Sequence, residues 1–375
     1  MRGSLREVRP GYWQLRVSLG RDPVTGAPRY RTRSLRATQR EAERALSALV
    51  TEVDEGRVAR SADTVDSLLE QWLEHIEHEG RSPTTMNGYR RLKAQLPAHF
   101  LRLPLRKVSP RTLDELYREL SRKKGRGAST VHHFHRLLRA AFNQALRWEM
   151  LDRNPAPLAR PPKAPSMEVE PPSVAAVRSV LEAAAVSQQP ENALRFRLIA
   201  ATGCRRAEVC GLHWSDVAAD FSSVVFRTSI VQVNGELIEK DTKAHQQRTV
   251  KLDAATSRML EAHEADCRDR AGEFGCRLEP TAFVFSDAVD GSTPIPPDRL
   301  TQAWRRLADA TGCEARLHDL RHLQASLLLD AGESVTTVAA RLGHRDTATT
   351  LRVYSHLMPG ADERAEDIVG SLFLE

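Results

Sequence analysis

The sequence lacks the features that would place the protein in a membrane or outside the cell. No apolar run approaches the roughly 20 residues of a membrane-spanning helix. The first residues show no charged stretch followed by an apolar one, which a secretion signal would need. The five cysteines form no CxxC pair, and an odd number without framework spacing suits reduced thiols. We therefore expect a cytoplasmic protein that does not bind membranes.

Positive charge is concentrated in the first part of the 375-residue chain. Residues 1–160 carry 31 Lys and Arg against 18 Asp and Glu, whereas residues 161–375 carry 24 against 31. A basic surface is what a protein that follows a phosphate backbone needs. The first part of the chain is therefore expected to hold the main nucleic-acid surface, and the second part must concentrate its positive charge in a site.

A stretch near the C-terminus, residues 317–356, places charged and imidazole side chains on predicted short helices. His318 and Arg321 are three positions apart, so one helix would present both on the same face. Four leucines have the spacing that buries the opposite face of that helix: Leu320, Leu323, Leu327 and Leu328. The pattern predicts a helix with two polar groups above an apolar face.

Two more short helices are indicated directly after it. Ser334 is an N-cap signal and Gly343 is a stop signal, with apolar residues at helical spacing between them. His344 stands just past that stop. Asp346 is positioned to cap a third helix, which carries Tyr354. Three polar groups and one phenol are thus expected on three short, packed helices.

These residues resemble the C-terminal signature of the tyrosine recombinase (phage integrase) family. The matching segments are His318-Asp-Leu-Arg321-His322, Leu342-Gly-His344, Tyr354 and, upstream, Thr202-Gly-Cys-Arg205-Arg-Ala-Glu208. They occur in the family's order, and the match covers the C-terminal half of the chain. The resemblance implies a mainly α, multidomain protein. It would combine a small N-terminal β-sheet plus helix module, an all-helical core-binding (SAM-like) domain and a mixed α+β catalytic domain.

The resemblance also implies a reaction that needs no metal, cofactor or ATP. Tyr354 would attack a DNA phosphate, leaving a 3′-phosphotyrosyl link and a free 5′-hydroxyl. Arg205 and Arg321 carry guanidinium groups, which fit phosphate oxygens in pairs and stabilise the charge that develops on them. His344 would hydrogen-bond the phosphate. His318 would take or relay the tyrosine proton.

Other positions of the motif are assigned through the same resemblance. A lysine on a β-hairpin is the family's general acid, and its spacing from the following strand favours Lys243, with Lys240 as the alternative. Glu208 is expected to orient Arg205 or His318, or else to form an ordinary ion pair on a helix. His322, which follows Arg321, is expected to have a structural role.

Residues 1–60 predict strands followed by one helix. Trp13, Leu15, Val17 and Leu19 alternate, as on a strand with one buried face. Arg29, Arg31 and Arg33 share a face of the next strand, because side chains alternate, and an anion across that face would offset their repulsion. A solvated edge strand is the other possibility. The segment resembles the arm-binding domain of many phage-type integrases, which binds accessory DNA sites.

Residues 62–153 read as an all-helical domain that resembles the family's core-binding domain. Its candidate phosphate contacts are Arg90, Arg91, Lys93, Arg122, Lys123, Lys124 and Arg126. Residues 154–172 contain seven prolines and predict an extended, semi-rigid linker. Residues 173–375 are then expected to form the catalytic domain, with a small antiparallel sheet across residues 221–252.

The sequence thus predicts a recombinase of a phage or other mobile element. Double-stranded DNA with attachment-type core and arm sites would be its substrate, and it would act as a homotetramer with possible DNA-bending and directionality factors. A tyrosine transposase is possible within the same class, and so is a type IB topoisomerase. A catalytically inactive DNA-binding regulator and a metallohydrolase built on His318, His322 and His344 are alternatives from other classes.

Overall fold

The structure is a computed structural model that describes residues 3–21, 27–54, 63–122, 126–163, 171–241, 247–344 and 347–354. The chain forms two compact units, Met1–Pro165 and Ser166–Glu375. Both are mainly helical with small sheets, as the sequence predicts. Within the described ranges, no helix is both long enough and apolar enough to cross a membrane.

A three-stranded antiparallel sheet and one helix begin the first unit. The strands are β1 (Gly3–Arg9), β2 (Tyr12–Arg21) and β3 (Pro28–Arg36), and the helix is α1 (Gln39–Asp54). The sheet forms in the order β1-β2-β3, and α1 packs against one face of it. Leu15 and Val17 of β2 are fully buried there with Leu49 of α1. The predicted alternation along β2 is therefore present.

The register decides which arginines of β3 face the helix. Arg31 lies opposite Val17, and Arg33 lies opposite Leu15. Residues directly opposite each other in an antiparallel pair project from the same face of the sheet. Arg31 and Arg33 therefore share the helix-covered face, and the side chain of Arg29 is outside what the structure describes.

The other face of the sheet carries a different set of side chains, and we call it the open face. Its members are Ser4, Arg6, Arg9, Tyr12, Gln14, Arg16, Ser18, Tyr30, Thr32, Ser34 and Arg36. Tyr12 and Tyr30 are each nearly half exposed. The Arg16 guanidinium lies 3.6 Å from the centre of the Tyr30 ring. Among the residues whose register is described, the open face contains four arginines and no acidic residue.

Five α-helices complete the described part of the first unit. They are α2 (Val65–His78), α3 (Pro83–Ala94), α4 (Ala98–Leu101), α5 (Pro110–Arg122) and α6 (Ala128–Arg147). Thr64 and Ser67 form a reciprocal capping box at the start of α2. Pro83 and Pro110 occupy first helical positions, where the missing N–H costs no helical hydrogen bond. A separate core is buried between these helices, around Phe100, Tyr117, Phe134 and Phe142.

The start of the proline-rich segment packs onto this helical core. Ala156 is fully buried and Ala159 nearly so. The backbone N–H of Arg160 donates to the Asp114 carboxylate, and His132 Nε2 lies 2.8 Å from the carbonyl oxygen of Pro162. Residues 154–163 are therefore held against the helices, so any free linker is shorter than the predicted range 154–172.

The second unit contains eight helices and four strands among its described residues. The helices are α7 (Val174–Ala185), α8 (Glu191–Thr202), α9 (Arg206–Cys210), α10 (Ala254–Glu273), α11 (Pro297–Thr311), α12 (Asp319–Asp330), α13 (Val335–Leu342) and α14 (Thr347–Tyr354). The strands are β4 (Ser223–Phe226), β5 (Thr228–Val233), β6 (Glu236–Asp241) and β7 (Arg248–Lys251). They form two antiparallel pairs, β4–β7 and β5–β6, rather than the one small sheet that was predicted.

Helix α12 is buried on more than one side. It packs against α8 and against α13, so Arg321 and Gln324 are buried together with Leu320 and Leu323. Leu327 is 48% exposed. The prediction of a single apolar face containing Leu327 was therefore wrong. The spacing of leucines indicates one apolar face and cannot show that a helix contacts neighbours on two sides.

Candidate active site

A tight turn after α8 brings Arg205 to the site. Gly203 ends α8 with a left-handed φ of +65°. A Cβ at this position would lie 2.4 Å from Oε1 of Gln324 and 2.5 Å from a methyl group of Leu342. Only glycine fits such a close approach. The turn therefore packs directly on α12 and α13 and leaves Arg205 at the N-cap of α9.

Glu208 joins two arginines from different elements. Its Oε1 lies 2.8 Å from Nη1 of Arg205, and its Oε2 lies 2.6 Å from Nη2 of Arg248. Glu208 is 2% exposed. Burial opposes ionisation, but the hydrogen bonds and charge of Arg248, with the charge of Arg205, outweigh it and lower the pKa of the carboxyl. Of the predicted roles, the structure pairs Glu208 with Arg205 and gives no contact with His318.

Arg248 was missed in the sequence, where it appeared only as the start of a strand. It follows the predicted lysine hairpin at the beginning of β7. The Nε of Arg248 donates to the carbonyl oxygen of Arg341 at 3.0 Å. Nη2 of Arg205 donates to the carbonyl oxygen of Gly343 at 3.2 Å. The two guanidiniums thus satisfy carbonyls at the C-terminal end of α13, where positive charge is favoured. They hold the backbone that leads into His344.

Arg321 has hydrogen-bonding capacity left over. It is 3% exposed, and its Nη1 donates to the carbonyl oxygen of Gly203. Its buried Nη2 has no hydrogen-bond partner among the described residues. Burial, reinforced by the charge of Arg205, lowers the pKa of Arg321 to about 10, so it remains charged at neutral pH. A buried donor of this kind is a ready contact for an anion.

His344 and His318, two histidines predicted for the site, are neutral at physiological pH. His344 Nδ1 lies 2.7 Å from Oγ1 of the buried Thr350, which orients its ring. Burial, with the charges of Arg321 and Arg205, lowers the pKa of His344 to about 4. Partial desolvation and the neighbouring His322 and Arg321 lower the pKa of His318 to about 4 as well. Each ring can therefore donate one hydrogen bond and accept another.

Tyr354 contacts a histidine other than the expected one. Its hydroxyl lies 2.6 Å from Nδ1 of His322, and the residue is 2% exposed. Burial raises the pKa of the phenol to about 12. The rings of His318 and His322 are in edge-to-face contact, with centroids 5.1 Å apart. His322 thus contacts the predicted nucleophile directly, which the structural role expected for it does not include.

The two candidate general acids lie in or after β6. Lys243 is outside the described residues. Lys240 lies within β6, paired in register with Ser229 of β5. The choice of Lys243 therefore stays a prediction.

The predicted DNA contacts of the helical segment have mixed surroundings. Arg90 forms an ion pair with Glu77, and Lys93 with both Asp66 and Glu70. Arg91 and Arg122 are exposed. Nη2 of Arg126 donates to the Gln95 side chain, and Lys123 and Lys124 lie outside the described residues. A phosphate would have to compete with carboxylates for Arg90 and Lys93, whereas Arg91 and Arg122 are accessible.

The buried Cys204 adds no chemistry to the site, and the histidines of the metallohydrolase alternative have other contacts. Cys204, next to Arg205, is 1% exposed, and burial raises the pKa of its thiol to about 12. All five cysteines are free thiols. Within the described part of the chain, no group of three or more His, Cys, Asp or Glu residues is arranged to hold a metal ion. His322 instead contacts Tyr354, and His344 contacts Thr350.

Two protein-family models match the chain. The model of the phage integrase family matches residues 174–360, and that of the phage integrase SAM-like domain matches residues 67–163. The ICEBs1 integrase of Bacillus subtilis (strain 168) is 25% identical over 382 residues, covering 98% of this chain and 100% of its own. A XerC-like tyrosine recombinase of Caldanaerobacter subterraneus subsp. tengcongensis is 24% identical over 390 residues, covering 97% of each chain.

Solved structures share the fold. The Tn1549 transposon integrase in complex with transposon right-end DNA superposes with a TM-score of 0.67 at 18% identity, covering 82% of this chain and 100% of that one. A lambda integrase tetramer bound to a Holliday junction gives a TM-score of 0.58 at 18% identity, covering 93% and 94%. At these identities the similarity establishes the fold alone, which is that of the tyrosine recombinases. With both family models matched, the chain belongs to the phage integrase (tyrosine recombinase) family.

Proposed function

We propose that this protein is a site-specific recombinase that cuts and rejoins double-stranded DNA to integrate or excise a mobile element. The observation that carries the proposal is the arrangement around Arg321. A buried guanidinium with an N–H that has no partner among the described residues lies in one site with Arg205, His344 and a buried tyrosine. Such a site fits an anion next to a nucleophile. Full-length relatives named as integrases and recombinases support the same function.

The proposed chemistry is a phosphoryl transfer to Tyr354. Its Oη would attack the phosphorus, the bond from phosphorus to the 5′-oxygen would break, and that oxygen would take a proton from Lys243. Attack by a 5′-hydroxyl of a partner strand would reverse the step. The phosphodiester energy is retained in the phosphotyrosyl bond, so the proposed reaction needs no ATP. The guanidiniums would supply the positive charge that a metal supplies in other phosphoryl-transfer sites.

Each guanidinium has a defined part in this proposal. Arg321 would give its free Nη2 to one phosphate oxygen, while its Nη1 stays fixed on Gly203. Arg205, about a third exposed, would reach the same phosphate from the N-cap of α9, and His344 would donate a further hydrogen bond. Removing one preorganised donor from a site of this kind typically lowers the rate by 10²–10³-fold, about 3–4 kcal/mol.

DNA binding outside the site is proposed for both parts of the first unit. Residues 62–153 would bind the core site through the exposed Arg91 of α3 and Arg122 of α5. Residues 1–60 would bind arm-type sites through the open face, because Arg6, Arg9, Arg16 and Arg36 lie there with no acidic residue among the described residues of that face. A strand pair also fits the DNA major groove. Assembly as a homotetramer on DNA, with bending or directionality factors, completes the proposal.

A covalent-trapping assay tests this function. A nicked duplex selected from a random pool for binding to this protein would be incubated with it in EDTA and run on a denaturing gel. We expect a DNA-linked band that is absent with Tyr354→Phe, although this variant binds the duplex equally well. No band on a duplex that the protein binds would favour the inactive regulator. Cleavage that appears only with added metal, without a DNA-linked band, would favour the metallohydrolase.

A tyrosine transposase would give the same band, so the distribution of insertions separates the two. Sequencing of junctions formed in cells would show one or a few target sequences for a site-specific recombinase. Many unrelated targets would identify a transposase.

A further inference from the structure

A hydrogen bond links the proposed nucleophile to a histidine that the motif leaves without a chemical role. Tyr354 Oη and His322 Nδ1 are 2.6 Å apart, although 32 residues separate them in the chain. Their rings are 5.7 Å apart between centroids and tilted by 54°. The contact joins α14 to α12 inside a region where Tyr354 is almost fully buried. The phenol is therefore held by His322 across the fold.

The protonation states at neutral pH fix the direction of this hydrogen bond. Burial raises the pKa of Tyr354 to about 12, so the hydroxyl keeps its proton. Burial also lowers the pKa of His322, so its ring is neutral. A protonated phenol donates and a neutral ring nitrogen accepts. The ring proton of His322 must then be on Nε2.

We propose that His322 is the general base that takes the proton of Tyr354 during strand cleavage and returns it during rejoining. This inference rests on the proposed function. In cleavage, the O–H bond of Tyr354 breaks and its proton moves to Nδ1 of His322. The phenolate oxygen bonds to phosphorus, and the 5′-oxygen leaves with a proton from the general acid. In rejoining, a 5′-hydroxyl attacks phosphorus and gives its proton back to the general acid, while the phenolate leaves phosphorus and recovers its own proton from His322.

The surroundings of His322 couple its basicity to bound DNA. Burial lowers the pKa of His322 most, the charge of Asp319 raises it, and the charges of Arg321 and Arg316 lower it. Once protonated, the ring would add its positive charge to that of Arg321, while the neighbouring His318 ring, 5.1 Å away between centroids, is neutral. Two positive charges that close together are unfavourable in a buried site. A phosphate held by Arg321 offsets that repulsion. His322 therefore accepts the proton more readily when the scissile phosphate is in place, which disfavours a reactive phenolate in the unbound enzyme.

A pair of substitutions separates proton transfer from hydrogen bonding alone. In His322→Asn, the amide oxygen can still accept the hydrogen bond of Tyr354, but it cannot take the proton. In His322→Ala, both capacities are lost and space is created for added imidazole. Single-turnover cleavage of the nicked duplex would be measured from pH 6 to 10 for both variants. Leu327→Ala, an exposed change on the same helix, is the matched control.

We expect both His322 variants to cleave about 10²-fold more slowly or worse than the unchanged protein at neutral pH. Added imidazole should restore cleavage by His322→Ala and should leave the cleavage rate of His322→Asn unchanged. The rate of both variants should rise with pH toward the pKa of the phenol, since hydroxide then replaces the base. Duplex binding and thermal unfolding of each variant confirm that it is folded, and His322→Asn alone decides the matter if His322→Ala does not fold.

Wild-type rates in His322→Asn would overturn the proposal and leave His322 as a positioning residue. A loss in His322→Ala that imidazole does not restore, with no change in the pH profile, would also overturn it. These outcomes require a covalent band with the unchanged protein. Its absence on a bound duplex would instead count against the proposed function, so the two failures are distinguishable.

Discussion

Glu208 and Arg248 form a buried ion pair that ties a strand to the candidate active site. The carboxylate oxygen Oε2 and Nη2 of Arg248 are 2.6 Å apart, and the side chains are 2% and 9% exposed. The same carboxylate holds Arg205. One buried acidic residue thus positions two arginines, both of which donate hydrogen bonds to the end of the helix before His344.

We expect Glu208→Gln to lower both stability and cleavage. The substitution leaves two guanidiniums facing each other without their shared carboxylate, and breaking a buried pair in this way costs about 3–5 kcal/mol. Arg205 would also lose its orientation, so cleavage should fall by at least about tenfold relative to duplex binding. Chemical denaturation and the trapping assay measure the two effects.

The matched control for this change is Arg268→Met. Arg268 pairs with Glu264 one turn away on α10 and is two thirds exposed, so its loss should cost less than about 0.5 kcal/mol. Equal losses in the two variants would show that the Glu208 network does not hold the site together.

Stability should fall between pH 7 and pH 4, in part through His344. The pKa of His344 is about 4 in the folded protein, against about 6.5 in an unfolded chain. Between these pH values the unfolded chain binds a proton at His344 and the folded protein does not, so acid favours unfolding. Above pH 7 both states are neutral and the contribution vanishes. The contribution of His344 to the slope of the free energy of unfolding against pH stays below the limit for one proton, about 1.4 kcal/mol per pH unit.

Urea denaturation at pH 7, 6 and 5 measures this dependence. His344→Asn cannot be protonated in this range, so its stability should change less with pH than that of the unchanged protein. An identical pH dependence in both would mean that the environment of His344 does not lower its pKa.

We expect the open face, not the helix-covered one, to contact DNA. Arg16→Ala should reduce the slope of log binding constant against log salt by about 1, because one phosphate contact is lost. Arg33→Ala changes an arginine of the neighbouring strand on the other face, so the slope should not change. Duplex binding by the full chain at several salt concentrations measures both. The reverse pattern would support the predicted set of Arg29, Arg31 and Arg33.

Local signals in the sequence were sufficient for several elements of the site. Ser334 caps α13 through the backbone N–H of Thr337, and Gly343 ends that helix in a left-handed conformation. Both depend on a residue's own backbone and its near neighbours, which a sequence records directly. The order of Arg205, His318, Arg321, His344 and Tyr354 was likewise readable, because a motif preserves spacing. The family followed from these positions.

The sequence could not show which side chains meet across the fold. Arg248 is 40 residues from Glu208, and His322 is 32 residues from Tyr354. Periodicity describes the faces of one element and carries no information about what packs on them. For this reason it predicted that Arg31 and Arg33 share a face but not that α1 covers that face, and it placed Leu327 in the core.

The sequence by itself determined the family, the mainly helical architecture and the chemical groups from which the site is built. The tertiary structure decided how those groups are paired: Glu208 with two arginines, Tyr354 with His322 rather than His318, and Arg321 with Gly203 on one side and an open donor on the other. The physical reason is that buried polar groups must find partners, and only the packed fold determines which partners are within reach.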